Sequence, residues 1–120
     1  MEFLNKLELK GVVGRADVNT YNGTAVCNLS VVTEYSCRDK DGNPAVETNW
    51  FNVSAWEGRG MPDLYQIKKG CWVAVKGRLR QRRYTTQENE EKQTTEVIAR
   101  SLEIIPREEG DEHPQPQRDY

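Results

Sequence analysis

The sequence of 120 residues has little of the chemistry on which most enzymes depend. It contains one histidine, His113, which leaves almost no material for metal-assisted catalysis or for Ser-His and Cys-His pairs. Its three cysteines, Cys27, Cys37 and Cys71, are odd in number and include no close pair such as CxxC. This argues against a disulfide framework and a structural zinc site, and it favours reduced thiols. We expect no metal, no cofactor and no enzymatic activity.

Long apolar runs are missing as well, and we expect no leader sequence. No segment has the length of about 20 apolar residues that a membrane-spanning helix needs. The opening residues mix charged with apolar side chains, whereas a signal peptide has a basic and then an apolar region. A cytoplasmic protein without a membrane partner is therefore expected.

The net charge of −2 is divided unevenly along the chain. Residues 1–105 carry 15 basic and 14 acidic side chains, whereas residues 106–120 carry 2 and 5. The second segment also consists mainly of Pro, Gln, Glu and Asp, a composition that buries too little apolar surface to fold. The sequence therefore predicts one folded domain over residues 1–105 and a disordered tail over residues 106–120.

The sequence does contain five strand-like runs separated by turn signals. An Asn-Gly turn follows the first run, the polar loop RDKDGNP follows the second, and a charged hairpin tip precedes the fifth. Between the third and fourth runs, Pro62, the spacing of Leu64 and Ile67, and Gly70 predict one short helix. This order predicts an all-β domain, the five-stranded Greek-key barrel called the OB-fold. An SH3-like barrel is the alternative, but it lacks such a helix at this place.

The third run, TNWFNVSAW, carries two tryptophans on what should be its polar face. Strand alternation places Trp50 and Trp56 on one side with an Asn and a Ser, and the smaller apolar residues on the other side. Large aromatic side chains on a polar face indicate binding platforms. The alternative is that both are buried in a twisted barrel or in a subunit interface.

The fourth run is basic: seven Lys and Arg residues and no acid lie between positions 68 and 83. Alternation places six residues of this run on one face, unless Gly77 marks a bulge: Trp72, Lys76, Arg78, Arg80, Arg82 and Tyr84. Basic residues can simply protect an edge strand from pairing. Cations interleaved with aromatics are also typical of surfaces for single-stranded nucleic acid, because unpaired bases stack on rings and phosphates pair with Lys and Arg.

Five segments resemble the bacterial single-stranded-DNA-binding proteins of the homotetrameric OB-fold type. They are NKLELKGVVGRADV, VVTEYSCRDKDG, ETNWFNVSAWEG, IKKGCWVAVKGRLRQRRYT and TTEVIARSLEII, and they cover nearly all of residues 4–105 in the family's order. The resemblance implies sequence-independent binding and protection of single-stranded DNA during replication, recombination and repair, at the nucleoid. It also implies that the first strand, residues 6–13, pairs across a dimer interface and that two dimers form a tetramer.

The resemblance and the two strand patterns together select the candidate site residues. The residues expected to stack bases are Trp50, Trp56, Tyr84, Trp72 and Tyr35. The residues expected to contact phosphates are Lys68, Lys69, Lys76, Arg78, Arg80, Arg82, Arg83, Arg38 and Lys40. Cys37 stands where relatives often have an aromatic residue, so one stacking position is either missing or has moved to Tyr35.

The end of the sequence departs from the family pattern. Family members typically close with an acidic run and a Pro-Phe pair that recruits replication and repair enzymes, whereas this sequence closes with QPQRDY. Either the chain is truncated, or it is a variant that does not recruit such partners.

Two other functions remain open. An OB-fold subunit of a replication-restart (primosome-like) complex would act through protein contacts and bind DNA weakly, but the basic run and both tryptophans argue against it. A small nuclease would need carboxylates clustered around a metal. Asp39 and Asp41 are the nearest candidates, although acids in such a loop are more often turn formers.

Overall fold

The computed structural model describes residues 1–106, and five strands make up most of them. The strands are β1 (Leu7–Tyr21), β2 (Thr24–Arg38), β3 (Pro44–Trp56), β4 (Trp72–Thr85) and β5 (Glu91–Ile105). Strands β1, β2, β3 and β5 are longer than the runs that predicted them, because backbone pairing continues beyond the apolar residues into the hairpins.

The predicted short helix is a single turn of 3₁₀ helix, Leu64–Gln66. Leu64 and Ile67 are both 3% exposed and pack in the core. Their spacing of three residues corresponds to the three residues per turn of this helix type. The spacing of Leu64 and Ile67, which predicted a helix, therefore reflects a single turn that both side chains anchor in the core.

The five strands close into a barrel in the order β1-β2-β3-β5-β4. All neighbouring strands are antiparallel except β3 and β5, which are parallel, with Val53 opposite Val97 and Ser54 opposite Ile98. The first half of β1 pairs with β4 and its second half pairs with β2. This arrangement confirms the all-β, five-stranded barrel predicted from the sequence.

The core of the barrel is built mainly from valine. Its fully buried side chains are Val13, Val31, Val53, Val73, Val75, Val97 and Cys27. Branched side chains of this size suit the pleated surface of a small, closed barrel. Burial, with a smaller contribution from the Asp17 carboxylate, raises the pKa of the Cys27 thiol.

Strand β1 bends at Gly14. Val13 is opposite Val31 but Arg15 is opposite Ser30, so Gly14 is an extra residue in β1, a β-bulge. The bend lets β1 pair with β4 through its first half and with β2 through its second half. Residues 7–10, before the bend, pair with β4 alone, and their other edge has no strand partner within residues 1–106.

A second register shift lies next to Gly77, where the sequence allowed for a bulge. Lys76 is opposite Ser101 and Gly77 is opposite Ala99, so the extra residue is Arg100 of β5. Strand β4 itself keeps its alternation, and its basic face is continuous.

Within residues 1–106, no helix is long and apolar enough to cross a membrane. The predicted tail lies outside the described residues except for Pro106, so its disorder stays a prediction.

Candidate nucleic-acid interface

The structure confirms the predicted alternation of β3. Val53 and Ala55 are 2% and 0% exposed and belong to the core. The residues on the opposite face, here called the outer face of the barrel, are Trp50, Asn52, Ser54 and Trp56. This face is partly covered, because Ser54 is buried and its hydroxyl donates a hydrogen bond of 3.1 Å to Oδ1 of Asn28.

Trp50 is half-buried because its ring lies against the backbone at Gly14. A Cβ atom placed on Gly14 would be 2.2 Å from Cζ3 and 2.8 Å from Cη2 of Trp50. Only glycine fits beneath the ring at this point. The bulge in β1 therefore fixes the position of the indole while part of it stays exposed.

Trp56 is 43% exposed and contacts Tyr21, which is 55% exposed. The ring centroids are 6.1 Å apart and the planes are inclined by 45°, within the range of favourable aromatic pairs. Tyr21 ends β1, just before the turn at Asn22 and Gly23, whose φ values are 52° and 82°. Sequence reasoning missed Tyr21 because it ended the first strand near Gly14.

Pairing between β3 and β5 brings the basic strand beside the tryptophan strand. Arg78 is opposite Ile98 of β5, and Ile98 is opposite Ser54 of β3, so the three form one row on the outer face. With about 4.8 Å between neighbouring strands, β4 lies about 10 Å from β3. Arg80 and Arg82 continue the same face of β4 towards the hairpin tip.

The predicted phosphate-binding cations differ in how much of their charge is available. The Arg80 guanidinium donates hydrogen bonds to Oε1 of Glu96, whose side chain is 14% exposed, and Lys76 Nζ lies 3.8 Å from Oε1 of Glu8. These two cations are already paired with carboxylates. Within residues 1–106, no ion pair involves Arg78, Arg82 or Arg83.

Tyr84 is 49% exposed in the β4–β5 hairpin, on the same face as Arg82 and opposite Lys92. Arg83 lies on the other face of the hairpin. Tyr84 thus shares the face of Arg82, as alternation predicted, and its stacking role stays a prediction.

Trp72 and Lys76 lie in the first half of β4, between β1 and β5. Trp72 is half-buried, opposite Val12 of β1 and Ile105 of β5. Three strand steps separate it from Trp50 around the barrel, through Val12 and Val32. Both residues thus lie in the half of β4 that pairs with β1, whereas Arg82 and Tyr84 lie in the half that pairs with β5 alone.

The β2–β3 hairpin carries Tyr35, Cys37, Arg38 and, in its turn, Lys40. Tyr35 is 66% exposed, but it is opposite Glu47, whereas Trp50 is opposite Val32. Tyr35 and Trp50 consequently lie on different faces of the hairpin. The Arg38 guanidinium donates a hydrogen bond of 2.9 Å to the carbonyl of Gly42 across the turn.

Lys68 and Lys69 are exposed in the segment that leads into β4. They line an open groove with residues 14–18 of β1 and with Tyr65. The structure thus brings these lysines next to Gly14, on which the Trp50 ring lies.

Asp39 and Asp41, the two acids considered for a nuclease, both lie in the turn between β2 and β3. Oδ1 of Asp39 accepts hydrogen bonds of 2.9 Å from the backbone N–H groups of Asp41 and Asn43. In the part of the chain that the structure describes, no three His, Cys, Asp or Glu residues gather to hold a metal ion. The turn-forming interpretation of Asp39 is confirmed.

Comparison with known proteins agrees with this geometry. The model of the single-strand binding protein family matches residues 4–105. A single-stranded DNA-binding protein of Neisseria meningitidis is 31% identical over 104 residues, which are 85% of this chain and 60% of that protein. Single-stranded DNA-binding protein 1 of Xylella fastidiosa is 33% identical over 108 residues, 88% of this chain and 79% of that protein. The chain thus spans about three fifths of the length of the Neisseria relative.

Solved structures show the same fold. The Plasmodium falciparum SSB in complex with ssDNA superposes with a TM-score of 0.74 at 27% identity, covering 88% of this chain and 98% of that one. A deletion mutant of the Thermus aquaticus single-stranded DNA binding protein superposes with a TM-score of 0.70 at 22% identity, covering 86% and 51%, and supports the fold alone. From the barrel, its two strand faces and the match over residues 4–105, this chain belongs to the single-strand binding protein family.

Proposed function

We propose that this chain binds single-stranded DNA without sequence preference. The observation that carries the proposal is the row of Arg78, Ile98 and Ser54, which joins the basic face of β4 to the tryptophan face of β3. Bases would stack on Trp50, Trp56 and Tyr84, while phosphates follow the arginines. The names of the Neisseria and Xylella relatives and the DNA complex of the Plasmodium protein support the same conclusion.

Stacking and phosphate contacts account for binding of any sequence. Every base offers a π face, and every nucleotide carries the same phosphate, so neither contact reads the base edges. No covalent bond changes in this activity. We therefore assign a non-enzymatic role, the protection of single strands during replication, recombination and repair, in the cytoplasm at the nucleoid.

The proposal includes self-association through β1. Residues 7–10 present one strand edge without a partner in the described structure, and exposed edges of this kind pair readily with another strand. Two copies would join at this edge, and two such dimers would form a tetramer. Light scattering that gives a monomer mass at micromolar concentration would contradict this part.

The first test of DNA binding uses the outer-face tryptophans. Titration with oligo-dT should quench the tryptophan fluorescence. Trp56→Ala should weaken binding by about 1–3 kcal/mol, the scale of one lost base stack, and Trp56→Phe should keep most of the affinity. Because Trp56 is 43% exposed, the melting temperature of the Trp56→Ala variant should differ little from that of the wild type. A lower melting temperature with unchanged affinity per folded molecule would contradict stacking at Trp56.

The second test separates charge from stacking. Arg82→Gln should make the dependence of log K on log salt shallower by about 0.7, the contribution of one phosphate contact on a single strand. A loss with Arg82→Gln that affects one base sequence only would show that this arginine reads bases. Failure of the wild type to bind oligo-dT would refute the proposed function and favour a protein-interaction subunit.

A further inference from the structure

An open groove of about 530 Å³ runs along the second half of β1. One wall is residues 14–18, and the other wall is formed by Tyr65, Ile67, Lys68 and Lys69. The groove begins at Gly14, the residue on which the Trp50 ring lies. Gly14 therefore connects the Trp50 ring to the mouth of this groove.

Tyr65 offers an aromatic ring at the groove wall on a fixed backbone. Tyr65 is 66% exposed, whereas Leu64 and Ile67 on either side of it are 3% exposed in the core. The Asp63 carboxylate accepts a hydrogen bond of 3.1 Å from the backbone N–H of Tyr65, and the Ile67 N–H donates to the Leu64 carbonyl at 3.2 Å. The anchored turn presents the ring to solvent, which lowers the entropic cost of binding a ligand on it.

The charge of the groove suits phosphate. Lys68, Lys69 and Arg15 contribute three positive charges, and Asp17 contributes one negative charge. Arg15 Nε lies 3.4 Å from Oδ2 of Asp17, while within residues 1–106 neither lysine is in an ion pair. A phosphate would therefore approach along the lysine wall, away from Asp17.

We propose that this groove is a further nucleotide-binding subsite, in which Tyr65 stacks one base and Lys68 and Lys69 contact the adjoining phosphates. The inference rests on the proposed function, since it extends the path of the same strand past Trp50. Tyr65 has no role in the sequence patterns, because it lies outside the five strands. The fold alone places it beside β1.

The test measures the affinity of the full chain for labelled oligo-dT of increasing length, with three variants of Tyr65. Tyr65→Ala should weaken binding of long oligonucleotides by about 5- to 150-fold, the range of one base stack, and leave the shortest binding oligonucleotides unchanged. Tyr65→Phe should bind within about twofold of the wild type, because the ring is kept. Tyr65→Leu keeps apolar bulk without an aromatic face and should behave like Tyr65→Ala.

The lysines are tested by the salt dependence of the same titration. The double variant Lys68→Gln, Lys69→Gln should make the slope of log K against log salt shallower by about 1.4, or about 0.7 for each lost contact. An unchanged slope in the lysine double variant would overturn the phosphate contacts.

The outcomes separate this subsite from the function on which it rests. If the wild type does not bind oligo-dT, both proposals are refuted. If the wild type binds and Trp56→Ala weakens it, but Tyr65→Ala matches the wild type at every length, the groove alone is refuted. A Tyr65→Leu variant that binds like the wild type would also refute the groove as a subsite. So would an equal loss of affinity in Tyr65→Ala for oligonucleotides of every length, because Tyr65 would then only support Trp50.

Discussion

Replacement of Gly14 by alanine tests whether the β1 bulge positions Trp50. The added Cβ would lie 2.2 Å from Cζ3 and 2.8 Å from Cη2 of the indole, and 3.0 Å from Oγ of Ser30. Carbon atoms of neighbouring groups lie about 3.5–4.0 Å apart at their optimum, so the ring must retreat by about 1 Å or more. Overpacking of this kind costs about 1–3 kcal/mol of stability. A displaced ring should also weaken DNA binding, because it loses part of the roughly 1–3 kcal/mol that one base stack contributes.

The assay is a double-mutant cycle between Gly14 and Trp50. Urea unfolding and oligo-dT titration are measured for Gly14→Ala, Trp50→Phe and the double variant. Phenylalanine lacks Cζ3 and Cη2 of the indole six-membered ring at those positions, so it removes the atoms that the new methyl group would strike. The stability loss from Gly14→Ala should therefore be smaller in the Trp50→Phe background by about 1 kcal/mol, within the range of couplings between residues in contact.

The cycle has a clear contrary outcome. Equal losses from Gly14→Ala in both backgrounds would show that the methyl group is accommodated by the strand and that the bulge does not position the indole. A Gly14→Ala variant with wild-type stability and affinity would refute the close approach itself.

Two further predictions concern the barrel. The Asn5 side chain donates to the Leu79 carbonyl at 2.7 Å and accepts from the Leu79 N–H at 2.9 Å, so Asn5→Ala should lower the free energy of unfolding by about 1–3 kcal/mol in urea denaturation. Asn5→Asp keeps the acceptor but sets a carboxylate oxygen against the Leu79 carbonyl, so it should be no more stable than Asn5→Ala, and equal stability of all three proteins would refute the contact. Burial raises the pKa of the Cys27 thiol in the folded state. The thiol is uncharged in both the folded and the unfolded state at neutral pH, but as the pH rises it ionises first in the unfolded state. Stability should therefore fall more steeply between about pH 8 and 10 in the wild type than in Cys27→Ala, and identical slopes would refute this.

Local patterns in the sequence determined the strands and the faces of two of them. The alternation in TNWFNVSAW was sufficient to place Val53 and Ala55 inside and both tryptophans outside, because each strand residue is flipped relative to its neighbour whatever the rest of the fold does. The Asn-Gly turn was recognisable for the same local reason, since Asn and Gly tolerate the positive φ values found at positions 22 and 23. The basic face of β4 was likewise predictable, because its bulge lies on the neighbouring strand.

The tertiary structure alone decided which of those faces meet. Parallel pairing of β3 with β5 sets the arginine strand beside the tryptophans, and no local pattern specifies a partner more than 40 positions away. Pairing likewise showed that Arg80 and Lys76 are already paired with Glu96 and Glu8, that Tyr35 faces away from Trp50, and that Tyr21 contacts Trp56. The half-burial of Trp50 could not be predicted from the sequence either, because it depends on a bulge in a different strand that brings Gly14 beneath the ring. Alternation fixes the side of a strand on which a residue lies, but contacts between strands depend on register and barrel closure, which are set by the packing of the whole core.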